Sequence, residues 1–421
     1  MTGSRRRVRP IVLALASGAI AVCGLLAALR LSAALPHAHV TAHVAATLVP
    51  APGPPPPIPL PSQGSAVVSS DADGVLAATH PDDVRPTGSI AKTMTALVVL
   101  RQRPLSMGAE GPTVTMTTDD VSLYARAIQQ QGSAVAVRVG EQFTERQLLL
   151  ALMLASANNI AETLAVWVAG SRDAFIAMLN AQAAALGMAQ THFADPSGFS
   201  EATVSTASDL VRLGRAALAN PALASIVSTL QTTLPDGTVV GNLDILLASQ
   251  PGWLGVKTGW TPQAGGCLLF AARQTLAPGA VPVTIVGVVL GQPADATIYP
   301  GHPELGGAFR AASAATTAAL DGYVAVSPRD VQPAFDGSAT AAWGATAGLR
   351  LDPANSRPLV VRAGAQLTTH LHLQGIDGPA PSGAPAGDVA AVTSTGKALR
   401  WKAVLDQPLS APSVWWRLVR A

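Results

Sequence analysis

Apolar positions along this chain fall into three regimes. Residues 11–29 carry no charge, a length close to one bilayer crossing, and Arg30 ends the run. Between residues 63 and 322 the spacing switches repeatedly between helical and strand periods. From about Val324 the apolar runs are short and are broken by Gly and Pro.

In the middle regime, Ala66-Val-Val68 and Val75-Leu-Ala-Ala78 flank the turn Asp71-Ala-Asp-Gly74 and predict a hairpin. Pro86 and Gly88 break the chain, and the spacing of Met94, Leu97 and Val98 then predicts a helix opening at Ser89. Ala134-Val-Ala-Val-Arg-Val139 alternates like a strand. Residues 145–154 and 160–168 predict two apolar helices, with Ser156-Ala-Asn158 at the break between them. Thr206-Ala-Ser-Asp209 resembles a capping box opening a further helix. The segments 254–261, 267–272 and 283–290 predict neighbouring strands of one antiparallel sheet. Past Val324, the segments 349–351, 358–362, 367–373 and 389–392 predict a small β domain. Val414-Trp-Trp-Arg-Leu418 reads as its final strand, with a segment resting on a membrane as the alternative.

Four parts are therefore expected: a signal or anchor segment at 1–35, a Pro-rich linker at 36–62, a catalytic domain at 63–322 and a β-rich domain at 323–421. Arg5, Arg6, Arg7 and Arg9 precede the apolar run, which leaves the N-terminus inside the cell and the rest outside. The run is either a retained anchor or a signal peptide, with Ser32-Ala-Ala34 as a small-residue cleavage site. In the linker, His37, His39 and His43 read as solvated rather than as metal ligands, and the proline run 52–61 as a semi-rigid spacer.

With 421 residues and 49% hydrophobic content the chain supports a large core. A net charge of +2 gives no reason to expect nucleic acid. Cys23 reads as apolar filler, and Cys267, alone in the globular part, has no internal disulfide partner. No metal or cofactor is expected, since His370 and His372 give two ligands on one strand face and His192 stands without a carboxylate partner.

The chemistry centres on Ser89-Ile-Ala-Lys92. Helical spacing puts Lys92 one turn from Ser89, and a lysine with a lowered pKa can take a serine proton. A helix start followed by a solvated lysine has the same spelling. Lysine usage separates the two readings. The chain holds only Lys92, Lys257, Lys397 and Lys402 among 27 basic residues. Arginine cannot release a proton near neutral pH, so the two lysines kept before residue 397 point to chemistry. Ser156 and Asn158 fit either helix capping or a cleft. Lys257-Thr-Gly259 lies on a predicted strand edge.

The ordered trio Ser-x-x-Lys, Ser-x-Asn and Lys-Thr-Gly resembles the pattern of penicillin-binding proteins and class A β-lactamases. Thr191-His-Phe193, Pro196-Ser-Gly198 and the Ala264-Gly-Gly-Cys-Leu268 stretch resemble the low-molecular-mass, serine-type D-alanyl-D-alanine carboxypeptidases, over roughly residues 63–320. The resemblance implies an α+β fold, an antiparallel sheet flanked by helices plus an all-helical part, with the site between the sheet edge and that part. It implies Ser89 as nucleophile, Lys92 as base, and Ser156 and Lys257 as a proton relay. Asn158 would hold the substrate amide, Thr258 and Lys257 its carboxylate, and Gly259 and Trp260 the edge on which it lies. The N–H groups of Ser89 and Trp260 would form the oxyanion hole. The implied substrate is the peptidoglycan stem peptide, with β-lactams as covalent inhibitors and the N-terminal segment holding the enzyme at the outer face of the membrane, or releasing it to the wall if cleaved. Two departures stand out: Ala157 replaces the commoner Gly or Asp, and no arginine follows Leu290 closely. The alternatives are a D,D-endopeptidase, a β-lactamase, for which only Glu162 and Glu201 lie between Asn158 and Lys257, or an inactive wall-binding homologue.

Overall fold

A computed structural model describes residues 8–51, 53–353 and 357–420. Arg5, Arg6, Arg7 and Pro52 lie outside the described residues. The chain divides into two compact units, one of Pro55–Leu276 with Val281–Tyr323, the other of Met1–Pro54, Ala277–Ala280 and Val324–Ala421.

The first unit is built on a five-stranded antiparallel sheet in the order Trp253–Thr261, Gly265–Gln274, Val283–Gln292, Ser65–Ser70, Gly74–Thr79. The predicted hairpin and the predicted neighbouring strands are thus one sheet, and the Lys-Thr-Gly strand is an edge. Strands Gly265–Gln274 and Val283–Gln292 are buried at nearly every position, so helices must cover both faces. Helices Pro303–Asp321 and Ala207–Ala219 pack on them. The second comes close because Gly214 meets Leu269 and Val286, where an added Cβ would stand 3.0 Å from each.

The all-helical part surrounds Ala91–Gln102, which is buried at every position from Ala91 to Leu100, its polar Lys92, Thr93 and Thr95 included. Helices Glu145–Leu154, Asn158–Ala169 and Arg172–Ala185 pack against it. The Thr206 hydroxyl accepts the Asp209 N–H at 3.1 Å. The Asp209 carboxylate instead accepts from the Gln190 N–H and the Thr191 hydroxyl, so the cap also ties down the preceding loop.

Residues 134–139 are a correction. Val135 and Val137 are buried as the alternation demands, but no strand pairs with them. The Asn159 side chain takes the place of a neighbouring strand, accepting from the Val135 N–H at 3.1 Å and donating to its carbonyl at 2.9 Å.

In the second unit, an eight-stranded sheet runs Ile376–Asp377, His37–Val44, Phe335–Thr340, Thr346–Leu351, Ala398–Leu405, Pro385–Thr393, Leu367–Leu373, Thr47–Leu48. Trp401 is fully buried in its core. The linker expectation for 36–62 fails over its first half. His37–Val44 pairs antiparallel with Phe335–Thr340, with Ala38 and Val40 buried and the histidines between them on the exposed face. The period-2 pattern was present, but it alternates His and Thr with Ala and Val and is followed by prolines. The expected final strand is also corrected: Val414–Val419 is a short helix, with the Ser413 hydroxyl accepting the Trp416 N–H at 3.1 Å. The N-terminal apolar segment is the helix Val8–Ser32.

Candidate active site

Three glycines bring the Ser89 turn against the Lys-Thr-Gly strand and the 195–199 loop. Gly88 opens the tight turn carrying Ser89 with φ +52°, and an added Cβ there would lie 2.9 Å from the Trp260 nitrogen. A Cβ on Gly259 would lie 2.9 Å from the Thr87 carbonyl oxygen. At Gly198, with φ +75°, it would overlap the Gly88 carbonyl oxygen. The Ser89 turn is therefore clamped between the Lys-Thr-Gly strand edge and the 195–199 loop, backbone against backbone.

Lys92 is fully buried, and its Nζ stands 2.7 Å from Ser89 Oγ, 2.7 Å from Asn158 Oδ1 and 2.8 Å from the Ser197 carbonyl oxygen. Burial holds its pKa well below the ordinary lysine value, and the Lys257 charge lowers it further. Lys257 is 2% exposed; burial lowers its pKa to about 7, with the Asp244 carboxylate opposing. Its Nζ donates to the Thr258 carbonyl and hydroxyl at 3.1 and 3.3 Å. The other two lysines, Lys397 and Lys402, are exposed.

Ser156 is buried and held at φ +58°, in the left-handed region that a non-glycine residue occupies at a cost of ~1–3 kcal/mol. That strain turns the chain between two helices, so that Asn158 begins the second one with its N–H on the Ser133 carbonyl at 2.7 Å. Ser89, Asn158 and Trp260 line one cleft of about 520 Å³, together with Gly132, Ser133 and Thr261. Trp260 is 44% exposed at its rim. Thr258 and Gly259 lie buried on the adjoining strand.

Residues that the motifs did not announce complete the frame. Buried Asp195 accepts from the Ser197 N–H, the Ser197 hydroxyl, the Phe199 N–H and the Thr203 hydroxyl. It thereby shapes the loop whose Ser197 carbonyl holds Lys92. Asp-Pro-Ser-Gly has the look of such a self-bonding turn, which is the signal that was available. Asp244 accepts from Trp253 Nε1 at 2.9 Å and the Leu246 N–H, and burial raises its pKa to about 6. His192 is exposed and bonded to Val204 through its backbone. Cys267 is a buried free thiol, pushed up to about 12 by burial. Among the described residues no cluster of His, Cys, Asp and Glu could hold a metal ion.

The chain is similar to known proteins. Residues 55–293 match the family model of the D-alanyl-D-alanine carboxypeptidases, peptidase family S11. The chain belongs to that family. It is 36% identical over 214 residues to the D-alanyl-D-alanine carboxypeptidase DacB2 of Mycobacterium tuberculosis, covering 49% of this chain and 69% of that one. It is also 36% identical over 224 residues to a D-alanyl-D-alanine endopeptidase of Pseudomonas aeruginosa, covering 52% and 69%. The crystal structure of the Streptomyces K15 DD-transpeptidase superposes with a TM-score of 0.53 at 27% identity, over 62% of this chain and 99% of that one. As an S11 peptidase the protein is a hydrolase with a penicillin-binding fold.

Proposed function

We propose that this protein is a serine-type D-alanyl-D-alanine carboxypeptidase that removes the terminal D-alanine from peptidoglycan stem pentapeptides, working at the outer face of the cytoplasmic membrane. One observation carries the mechanism. Two of the three groups around Lys92 Nζ, the Asn158 amide oxygen and the Ser197 carbonyl, only accept. A neutral amine has two N–H bonds. Giving one to each leaves its lone pair facing the Ser89 hydroxyl. An ammonium would satisfy all three contacts as well; burial and the Lys257 charge, which hold the Lys92 pKa low, favour the form of lysine that can take a proton.

Lys92 takes the Ser89 proton as Oγ attacks the carbonyl carbon of the penultimate D-alanine. The oxyanion is met by the N–H groups of Ser89 and Trp260, each such donor being worth about 10²–10³ in rate. The C–N bond breaks as a proton passes through Ser156 and Lys257 to the leaving D-alanine amine. Water then cleaves the Ser89 ester and restores the hydroxyl. Asn158 holds the substrate amide, and Thr258 with Lys257 its carboxylate. A β-lactam acylates the same oxygen. The same steps serve a D,D-endopeptidase, a reading favoured by the equal identity to the P. aeruginosa enzyme. Glu162 is paired with Arg172 at 3.2 Å, which argues against a free base for β-lactam deacylation.

The test is the intact mass of the full chain in detergent after benzylpenicillin, followed over hours beside Ser89→Ala. A slowly decaying adduct absent from the Ala variant is expected. Fast drug hydrolysis without a lasting adduct would make it a β-lactamase, and neither adduct nor hydrolysis an inactive homologue.

A further inference from the structure

The cleft that holds Ser89 is lined by neutral side chains, with one exception. Gln130, Gln131 and Gln263 offer amides, Phe199 and Trp260 offer rings, and Glu201 alone carries a charge. Glu201 is exposed, and among the described residues its carboxylate has no ion pair or hydrogen bond. The charges just behind the cleft are already matched. Glu162 faces Arg172 and Arg126, and Asp195 serves four donors.

Glu201 is held in a defined place. It stands in the turn 200–203, closed by the Thr203 N–H on the Ser200 carbonyl at 3.0 Å and the Ala202 N–H on Ser200 Oγ at 3.3 Å. Asp195 pins both sides of that turn, through the Phe199 N–H and the Thr203 hydroxyl. The carboxylate that shapes the loop around Lys92 therefore also sets the position of Glu201 in the cleft.

An unpaired carboxylate is costly in a cleft for this substrate. The peptide ends in a carboxylate of its own, and like charges repel. Lys257 and Thr258, to which that end is assigned, lie on the adjoining strand and do not line the cleft. The cleft thus receives the acyl side of the peptide, with the residue that precedes the two D-alanines. Only a cation there turns Glu201 from a penalty into a contact. The rings fit the same ligand. In a chain with 4% aromatic residues, Phe199 and Trp260 are 42% and 44% exposed in this one cleft, and open rings beside a carboxylate suit an ammonium.

We propose that Glu201 is a specificity residue that selects acyl donors with a free ammonium on the side chain preceding the D-alanines. This rests on the D,D-peptidase reading above and names which stems it prefers. A stem whose diamino residue keeps its side-chain amine free is taken over one in which that amine is acylated, as in a cross-link.

The experiment compares kcat/KM of the full chain in detergent on two peptides, acetyl-Lys-D-Ala-D-Ala with its ε-amine free or acetylated, for wild type and Glu201→Gln. The ratio between the two peptides cancels any general change in activity. Wild type should prefer the free amine by roughly three- to thirtyfold at low salt, the combined scale of an exposed ion pair and a cation–π contact. That preference should shrink as salt rises toward ~1 M, where exposed charges are screened. Glu201→Gln should bring the ratio close to one. Equal turnover of both peptides by wild type would overturn the proposal and leave the D,D-peptidase reading standing. A preference that survives in Glu201→Gln, even with both rates lowered, would overturn it as well. Failure of wild type to turn over either peptide would overturn both readings.

Discussion

Asn158 Oδ1 and Lys92 Nζ stand 2.7 Å apart across 66 residues of sequence. That contact joins the first two motifs and fixes which end of the Asn158 amide faces the lysine. The other end, Nδ2, lies against Gly132, where an added Cβ would come within 2.5 Å of it.

Gly132→Ala should therefore damage the site without unfolding the protein. Its backbone is not in the left-handed region, so the methyl acts by displacing a side chain that Lys92 holds. Overpacking of this kind costs ~1–3 kcal/mol. Acylation by a fluorescent penicillin should slow roughly ten- to a hundredfold on that scale, with little change in melting temperature.

Lys92→Arg fixes a permanent charge at this position and loses the base. A guanidinium stays protonated, so acylation should fall by about 10²–10⁴. In the wild-type enzyme the acylation rate should rise with pH as Lys92 loses its proton, at a pH well below that of an ordinary lysine. A rate independent of pH in stopped-flow acylation would contradict a neutral-lysine base.

Asp195→Asn tests the loop rather than the reacting groups. The carboxylate serves four donors, and the Thr203 hydroxyl oxygen already accepts from the Ala194 and Asp195 N–H groups. An amide puts N–H where an acceptor is needed, leaving buried donors unpaired at ~1–3 kcal/mol. The expected result is a lower melting temperature together with at least tenfold slower acylation, because the Ser197 carbonyl moves off Lys92. Loss of stability with unchanged acylation would mean that the loop carbonyl does not orient the amine.

What the sequence announced and what it hid follow a physical line. Ser89, Lys92, Asn158 and Lys257 were legible because each carries chemistry in its side chain and the lysines are rare. The five-stranded sheet was legible from long apolar runs. Asn159 and Asp195 were not, since much of their work is done on backbone groups that any residue offers, and Gly132 was not, since it acts only by leaving room for Asn158 Nδ2. The strand His37–Val44 and the segment Ala134-Val-Ala-Val-Arg-Val139 have the same alternation. One finds a strand 300 residues away and the other a side-chain amide, a choice made by tertiary packing alone. For Val414–Val419 the Ser413 cap was a local sign of a helix, outweighed by the β propensity of Val and Trp.

Lys257 makes the stability of the catalytic unit depend on pH in a definite direction. In the folded state its pKa is about 7 and in the unfolded chain that of free lysine, 10.5. Between those values the unfolded state binds the extra proton, so stability rises with pH across that window, and below about 7 the burial penalty is present in full. Lys257→Met is similar in size and has no proton to lose. The variant should melt higher than wild type near pH 7.5, and the gap should close as pH approaches 10. Asp244 titrates the other way, raised from 3.8 to about 6, so it favours folding at low pH and its contribution fades as pH rises toward 6. Scanning calorimetry of both proteins from pH 7.5 to 10 keeps the wild-type Asp244 ionised. A constant difference over that range would mean that Lys257 is charged in the folded enzyme throughout.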